Sequence, residues 1–356
     1  MTPRERVLTA MKRQQPDKVP RRLEYSSFAT VLMEKFKKET GAMIPDEYFN
    51  YEIRDVGFYE TKRREEKFKK HELPPGAYIN WDWGNIERYG HYDNIIETVR
   101  YALQDAETIR DIEEYQMPDI LELYRWKDVK KQTAQFHERN LAVMGAMSQT
   151  IFEVAWGCRG FENFLADMII NPDMAELLIS RITDIRCKQA RIYAEADVDV
   201  LRLGDDVGTE RGMMISPELF RKWLKPRYVE IINAAREIKP DILTFFHSDG
   251  DCSEIIQDLI EVGIDILNPV QPECMDPAEI KNKYGDSLAF WGTIGTQRTM
   301  PFGTPEEVRQ EVKERIETVG RGGGLLLAPT HLLQSEVPWE NVVAFFKAVD
   351  EFGSYR

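Results

Sequence analysis

The chain has 356 residues, of which 42% are hydrophobic and 30% are charged, a composition typical of a soluble globular protein. Its formal net charge of −14 makes nucleic acid a poor partner and disfavours a highly anionic substrate outside a local basic pocket. The sequence contains no long apolar run of the kind that spans a membrane and no apolar signal-peptide core. Its four cysteines lack a C-x-x-C pair, so we expect free thiols in a reducing cytoplasm.

The predicted elements alternate along the chain. Thr2, Pro3 and Glu5 stand at the spacing of a capping box and predict a first helix that ends before Pro16. Helical patterns separate most of the apolar runs that follow, and alternating strands and helices predict a parallel sheet. The runs predicted as strands are 19–25, 77–82, 140–147, 198–204, 241–247, 264–269, 288–293 and 324–329.

Eight such units predict an α/β fold, a distorted (β/α)₈ TIM barrel with extra N-terminal helices, in a single domain over 1–356. The stretches of about 28–75 and 84–139 are interpreted as helical additions and long loops around the barrel. Within the first, the basic run 62–70 is typical of a solvated helix face or a partner contact. A doubly wound sheet is the alternative, but G-x-G-x-x-G and G-x-x-x-x-G-K are both absent. The glycines 322–324 precede a strand and predict a tight turn on the opposite face of the barrel.

Polar side chains follow nearly every predicted strand. Because the active site of such a barrel lies at the C-terminal strand ends, this convergence indicates an enzyme. Each residue also has a structural alternative: the aspartates after the fourth run could cap a helix, Glu24 could pair with a cation, and Asn268-Pro269 could be a simple turn. His71, His91 and His137 are expected at the surface. The strand-end residues, in chain order, are Glu24, Asp82, Glu153, Asp205, Asp206, Glu210, His247, Asp249, Asn268, Thr293 and His331.

A metal site is the strongest chemical interpretation of the fifth strand end. His247 and Asp249 are two residues apart, so both side chains can face one cavity. A catalytic zinc ion normally has three protein ligands with nitrogen, oxygen or sulfur atoms. His247, Asp249 and His331 would supply three, and Glu210 or Glu153 could replace one of them.

At these residues the chain resembles the uroporphyrinogen decarboxylase superfamily over most of its length. The resemblance is carried by PDKVPRRLEY (16–25), WDWGNIE (81–87), IFEVAWGCRGFENFLADM (151–168), LGDDVGTERGMMISPELFRKWLKPRY (203–228), HSDGDCSEIIQDLIEVGIDILNPVQPECMDPAEIKNKYGDSLAFWGTIGTQ (247–297) and PFGTPEEVRQEVKERIETVGRGGGLLLAPTHLLQ (301–334). It implies a distorted barrel, often dimeric, and one of two activities.

The first activity is tetrapyrrole decarboxylation without a cofactor. True decarboxylases carry Arg-Gln-Ala-Gly-Arg at the end of the first strand, where this chain has RLEYSS (22–27), and only His331 fits their pattern. The second is methyl transfer to or from a cobalamin-carrying protein. Zinc-dependent members of that branch carry His-x-Cys after the fifth strand and a second cysteine after the eighth, where this chain has His247-Ser248-Asp249 and Thr330-His331.

The resemblance therefore favours a cytoplasmic, corrinoid-linked methyltransferase acting on a small methylated substrate, which could be a methoxy compound. Zinc, as a hypothesis, would act as a Lewis acid at His247, Asp249, His331 and Glu210. Glu153 or Asp206 would position or protonate the leaving oxygen, and His331 is the third catalytic candidate. The remaining candidates are assigned to substrate binding: Glu24, Asp82, Asp205 and Asn268.

Decarboxylation of a tetrapyrrole or another carboxylate is the alternative, and a non-catalytic corrinoid- or tetrapyrrole-binding protein is the second alternative. The expected partners are the substrate and a corrinoid protein, with a homodimer as a further possibility.

Overall fold

The structure, a computed structural model, describes residues 1–62, 73–90 and 96–355. The helices are α1 (Pro3–Met11), α2 (Thr30–Thr40), α3 (Pro45–Tyr48), α4 (Ile109–Glu114), α5 (Leu123–Trp126), α6 (Val129–Glu138), α7 (Phe152–Arg159), α8 (Phe161–Ile170), α9 (Pro172–Glu195), α10 (Pro217–Leu219), α11 (Lys225–Arg236), α12 (Ile256–Val262), α13 (Pro277–Tyr284), α14 (Thr299–Phe302), α15 (Pro305–Thr318) and α16 (Trp339–Phe352). The strands are β1 (Ile53–Val56), β2 (Ala77–Ile79), β3 (Ile86–Tyr89), β4 (Ile96–Arg100), β5 (Ala142–Ser148), β6 (Val200–Gly204), β7 (Gly208–Thr209), β8 (Gly212–Met213), β9 (Leu243–His247), β10 (Ile266–Asn268), β11 (Ala289–Ile294) and β12 (Leu325–Pro329).

Parallel strands and outer helices form the predicted α/β barrel. The main sheet has the order β1-β5-β6-β9-β10-β11-β12, and every neighbouring pair is parallel. The first predicted run adds to its far edge, where Arg22 N donates to Leu327 O at 3.2 Å and Leu327 N donates to Pro20 O at 2.9 Å. β6, β9 and β12 are buried along their whole length, as expected for parallel strands covered on both faces. All their carboxyl ends meet at one rim.

The prediction that 77–82 forms the second barrel strand is wrong. That position is taken by β1, which pairs with β5 from Ile53↔Ala142 to Val56↔Gly145. β2 instead belongs to a separate antiparallel sheet of order β2-β3-β4 and is only half-buried. β1 lacks the apolar run that identifies a barrel strand, because Arg54 and Asp55 occupy its middle. Asp55 is paired with Arg22 of the first run, which makes charge tolerable there.

The regions expected to be helical additions contain strands as well. Within the described residues, 28–75 holds α2, α3 and β1, and 84–139 holds β3, β4, α4, α5 and α6. The basic run lies outside the described residues from 63 to 70. None of the helices in the described ranges combines the length and the apolar character that a membrane crossing needs.

The amino-terminal helix plugs the barrel at the end opposite the rim. Thr2 and Glu5 form the predicted capping box of α1. Val7, Ala10 and Met11 pack into the cluster of inward-facing strand residues that includes Trp291. The predicted tight turn at glycines 322–324 is confirmed, with positive φ at all three positions and contact with the loop after α1. The rim at the strand carboxyl ends is thereby left as the functional face.

Candidate active site

Three side chains with metal-ligating atoms meet where β6 and β9 end. His247 is the last residue of β9, and Asp206 follows β6 by two residues. One ligand atom each from Asp206, His247 and Asp249 lies within 4.8 Å of the other two. His247 Nε2 is 3.7 Å from Asp206 Oδ1 and 3.6 Å from Asp249 Oδ1. Tetrahedral zinc with bonds of about 2.0–2.2 Å separates its ligand atoms by about 3.3–3.6 Å, so an ion of this kind fits between these atoms.

Asn268, the last residue of β10, fixes where His247 carries its proton. Asn268 Nδ2 donates to Trp291 O at 2.8 Å and lies 3.5 Å from Glu24 Oε2. This assigns Oδ1 of the amide as the acceptor for His247 Nδ1, which it contacts. In the neutral ring the lone pair of His247 is therefore on Nε2, the nitrogen that faces the two aspartates. Metal-ligating histidines normally donate their second ring nitrogen to such a partner.

The main chain holds the two carboxylates of the cluster together against their repulsion. Asp249 N donates to Asp206 Oδ1 at 2.8 Å. Burial raises the pKa of Asp249; His247 opposes this and the charge of Asp206 adds to it. A cation between the carboxylates would relieve the repulsion.

A glycine lets β6 run close to the histidine. Gly204 lies beside His247 in the β6–β9 register. A Cβ on Gly204 would stand 2.7 Å from His247 Cβ, closer than real side chains approach. Glycine at the end of β6 is thus required by the position of His247.

Two buried arginines, each paired with a carboxylate, support the cluster. Arg202 Nη1 donates to Glu24 Oε1 at 2.6 Å, and Arg22 donates to both oxygens of Asp55 at 3.0 and 2.7 Å. Burial raises the pKa of Glu24, but Arg202 and Arg22 outweigh it and the pKa is lowered. Glu24 is therefore a buried carboxylate that supports the orientation of Asn268.

The carboxyl groups of Asp205 and Glu153 belong to the start of α7. Asp205 accepts from Ile151 N at 2.9 Å, from Glu153 N at 2.9 Å and from the Tyr228 hydroxyl. Burial raises the pKa of Asp205 to about 6, although these hydrogen bonds oppose it. Glu153 accepts from Asp206 N at 3.0 Å. Burial and the charges of Asp206 and Asp205 raise the pKa of Glu153 to about 9, so a protonated carboxyl lies against Asp206 at neutral pH.

A cavity of about 490 Å³ opens beside Asp249. His331 stands on its wall, with Nε2 at 3.9 Å from Asp249 Oδ2. Its described lining contains three carboxylates and no lysine or arginine. The lining residues are Gly208, Thr209, Glu210, Asp249, Gly250, Gln271, Thr296, Gln297, Pro301, Phe302, Thr330, His331, Leu332, Gln334 and Glu336.

The structure changes the predicted ligand set. His247 and Asp249 are brought together as expected, but among the described residues the third member of the cluster is Asp206. Glu210 lies farther out on the cavity wall, where Gln297 Nε2 donates to it at 3.0 Å. His331 lies next to Asp249 on the cavity wall, outside this cluster of three. Asp206 joins the cluster because its main-chain N–H donates to Glu153, which directs the Asp206 carboxyl group toward His247.

In the part of the chain that the structure describes, the four residues assigned to substrate binding do not line the cavity beside Asp249. Glu24, Asp205 and Asn268 are fully buried and engaged by protein groups, so they support the site from behind. The sequence left two structural alternatives open, and the structure shows both: Glu24 pairs with a cation, and Asp205 caps a helix. Asp82 lies in the turn between β2 and β3, where it accepts from Thr61 and pairs with Arg125 Nη1 at 3.0 Å. Its expected place at a barrel strand end is wrong because β2 is outside the barrel.

Of the other three histidines, the structure describes His137. The expectation that His137 is a surface residue is wrong, since its Nε2 is 3.0 Å from Asp199 Oδ2 and its side chain is 14% exposed. His71 and His91 lie outside the described residues. Of the histidines that the structure describes, only His247 and His331 therefore reach the rim.

Sequence reasoning did not identify Tyr25 as a site residue. Its hydroxyl oxygen lies 3.5 Å from His247 Nε2, and its ring packs edge-on against His331 with centroids 5.2 Å apart. Its position next to Glu24 at the end of the first run was the available signal. The left-handed backbone that directs it, with φ of 55°, cannot be inferred from a tyrosine.

Comparison with known proteins identifies the family. The profile of uroporphyrinogen decarboxylase (URO-D) matches residues 98–352, which is well over half of the chain. The chain belongs to the uroporphyrinogen decarboxylase family. This URO-D family chain is also similar in fold to a solved methyltransferase from Methanosarcina mazei, with a TM-score of 0.72, 20% identity and 99% of each chain covered.

Curated relatives of this URO-D family chain carry both activities in their names. A methylcobamide:CoM methyltransferase of Methanosarcina barkeri is 27% identical over 191 residues, 54% of this chain and 53% of the relative. A uroporphyrinogen decarboxylase of Trichodesmium erythraeum is 21% identical over 197 residues, 55% and 53% of the two chains. A methylated-thiol–coenzyme M methyltransferase of Methanosarcina mazei is 26% identical over 208 residues, 56% and 51% of the two chains. The matched regions span about half the length of these relatives, so activity has to be argued from the site.

Proposed function

We propose that this protein is a metal-assisted methyltransferase that moves a methyl group between a small methylated oxygen compound and a cobalamin-carrying partner protein. The observation that carries the proposal is the cluster of Asp206, His247 and Asp249, with His247 Nε2 at 3.7 Å and 3.6 Å from a carboxylate oxygen of each aspartate. The similarity to a methylcobamide-dependent methyltransferase supports the corrinoid partner.

The donor set fits a divalent ion such as zinc. One imidazole nitrogen and two carboxylate oxygens are acceptable zinc ligands, and three protein ligands leave a fourth position for substrate. The ion would polarise the oxygen of a methyl ether or alcohol as a Lewis acid. Oxygen ligands in the place of cysteine favour an oxygen-bearing substrate over a thiol.

The protein's own groups hold and orient the reactants. Asn268 keeps His247 in one tautomer, and Asp205 fixes the start of α7 so that Glu153 stays beside Asp206. His331 lines the cavity beside Asp249, where it can contact the non-reacting part of a substrate. These residues supply positioning, which accounts for a large share of many rate enhancements.

The charge of the cavity favours a neutral or cationic substrate. The described lining carries Glu210, Asp249 and Glu336 without a lysine or arginine. Arg22 at the first strand end is fully buried and bound to Asp55, so it does not face the cavity. A tetrapyrrole with several carboxylates would meet only like charge here, which disfavours the decarboxylase alternative.

The experiment measures methyl transfer and metal content together. Purified protein is loaded with zinc, freed of excess metal and mixed with cob(I)alamin and either methoxybenzene or methoxybenzoate. We expect one zinc per chain and loss of the cob(I)alamin spectrum with the neutral donor. The His247→Ala variant should lose both, whereas His137→Ala, a histidine loss outside the cluster, should keep both. Equal activity of metal-free protein, or decarboxylation of a porphyrinogen, would refute the proposal. The single domain, a homodimer and a cytoplasmic location stay predictions.

A further inference from the structure

The loop that carries Tyr25 is built to hold the phenol at the cluster. Tyr25 and Ser26 both have left-handed backbone, with φ of 55° and 54°, which side chains with a Cβ rarely adopt. Arg22 donates to Leu23 O at 3.1 Å and to Ser26 Oγ, and Glu24 is bound by Arg202. Buried arginines therefore anchor the loop on both sides of Tyr25, and strain maintained in this way clusters at functional sites.

The ring of Tyr25 is fixed by its neighbours, although the residue is partly exposed. The Arg202 guanidinium lies over the ring at 4.7 Å from its centroid, and His331 packs against the ring edge. Tyr25 is 36% exposed, and its ring contacts His331, which lines the cavity. The phenol is placed by its neighbours and is not merely filling the core.

Among the residues that the structure describes, no protein group makes a short hydrogen bond with the Tyr25 hydroxyl. The contact with His247 Nε2 is long, at 3.5 Å. A metal ion that took the lone pair of His247 would leave the Tyr25 O–H to donate to the next nearest acceptor. An oxygen atom bound between the aspartates and His331 would be in reach.

We propose that Tyr25 is a catalytic residue whose O–H donates a hydrogen bond to the substrate oxygen that carries the methyl group. This inference rests on the proposed function and deepens it. In the transfer, the bond between the methyl carbon and this oxygen breaks, and its electron pair stays on the oxygen. Cob(I)alamin of the partner supplies the pair for the new carbon–cobalt bond, and the oxygen takes up one proton from solvent to leave as an alcohol. The hydrogen bond from Tyr25 strengthens as negative charge grows on the oxygen.

The test removes the hydroxyl alone. Tyr25→Phe is compared with Tyr59→Phe, which removes an exposed hydroxyl bound to Asp128 at 3.0 Å, far along the chain from the cluster residues. We expect Tyr25→Phe to lower kcat for methoxybenzene by roughly 10²–10³-fold, the usual effect of losing one such donor. A nitro-substituted methoxybenzene, which has a better leaving group, should lose much less. Zinc affinity should stay the same. A kcat that is unchanged, or that falls equally for both donors, would overturn the inference.

A binding arm separates this inference from the proposed function. Phenol and thiophenol are titrated by calorimetry into zinc-loaded protein, where no methyl transfer is needed. We expect Tyr25→Phe to weaken phenol binding at least tenfold and thiophenol binding much less, because sulfur is the weaker acceptor. Equal phenol affinity in the two proteins, or no phenol binding to the unsubstituted protein, would overturn the role of Tyr25. Phenol binding that depends on Tyr25 without any methyl transfer would support the inference while the transfer proposal fails.

Discussion

Replacing Asn268 with alanine tests whether the histidine tautomer controls metal binding. The substitution leaves His247 Nδ1–H and the Trp291 carbonyl without their partner in a buried site. Each buried unsatisfied group costs about 1–3 kcal/mol, so the free energy of unfolding should fall by about 2–6 kcal/mol. Loss of the partner that orients a ligand typically weakens metal binding about 10–100-fold, or about 1.4–2.8 kcal/mol.

The assay is zinc competition with a chromophoric chelator at a temperature where both proteins are folded. Asn341→Ala is the matched control: this buried asparagine donates to Met300 O at 2.9 Å and Gly303 O at 2.7 Å, away from the cluster. It should lose stability to a similar degree and keep its zinc affinity. If Asn268→Ala does not fold, Asn268→Ser, which keeps one polar atom, replaces it. Wild-type zinc affinity in a folded Asn268 variant would refute the argument about His247.

Three further predictions concern stability. Glu153 has a folded-state pKa of about 9 against an ordinary value of 4.5, so the free energy of unfolding of metal-free protein should fall as pH rises between these values. In urea titrations, Glu153→Gln should lack the part of this pH dependence that comes from Glu153. Parallel pH curves for the two proteins would contradict the raised pKa of Glu153. Arg202→Met removes the ion-pair partner of the buried Glu24 and should lower the free energy of unfolding by about 3–5 kcal/mol. Adding Glu24→Gln should restore most of this loss. If chemical denaturation shows no restoration, the broken ion pair is not the cause of the loss. Gly145→Ala places a Cβ inside contact distance of the Tyr193 ring and should lower the free energy of unfolding by about 1–3 kcal/mol. A lowered midpoint of urea unfolding would support this prediction, and an unchanged midpoint would contradict it.

The barrel was predictable where its strands are apolar. β6, β9, β11 and β12 follow the predicted runs because buried parallel strands need continuous apolar sequence. β1 was missed because a four-residue strand with two charges carries no such signal. Arg54 is paired with Asp46 and Glu47, and Asp55 is paired with Arg22. β2 was misplaced because its aromatic and apolar residues form a small antiparallel sheet outside the barrel.

The position of the candidate site at the carboxyl ends of the barrel strands could be predicted from the sequence. The contacts between its side chains were less predictable. His247 and Asp249 could be paired because two residues of one strand end share a face. Asp206 could not be separated from Asp205 by sequence, since the two are adjacent and only tertiary contacts decide which one caps α7. Tyr25 could not be found because its direction depends on buried arginines and a left-handed backbone.

The most direct test of the account is a crystal structure of the zinc-loaded protein with anomalous diffraction at the zinc edge. The account predicts one ion within about 2.0–2.2 Å of His247 Nε2 and of one carboxylate oxygen each from Asp206 and Asp249. An anomalous peak at another place, or none between these three side chains, would contradict it.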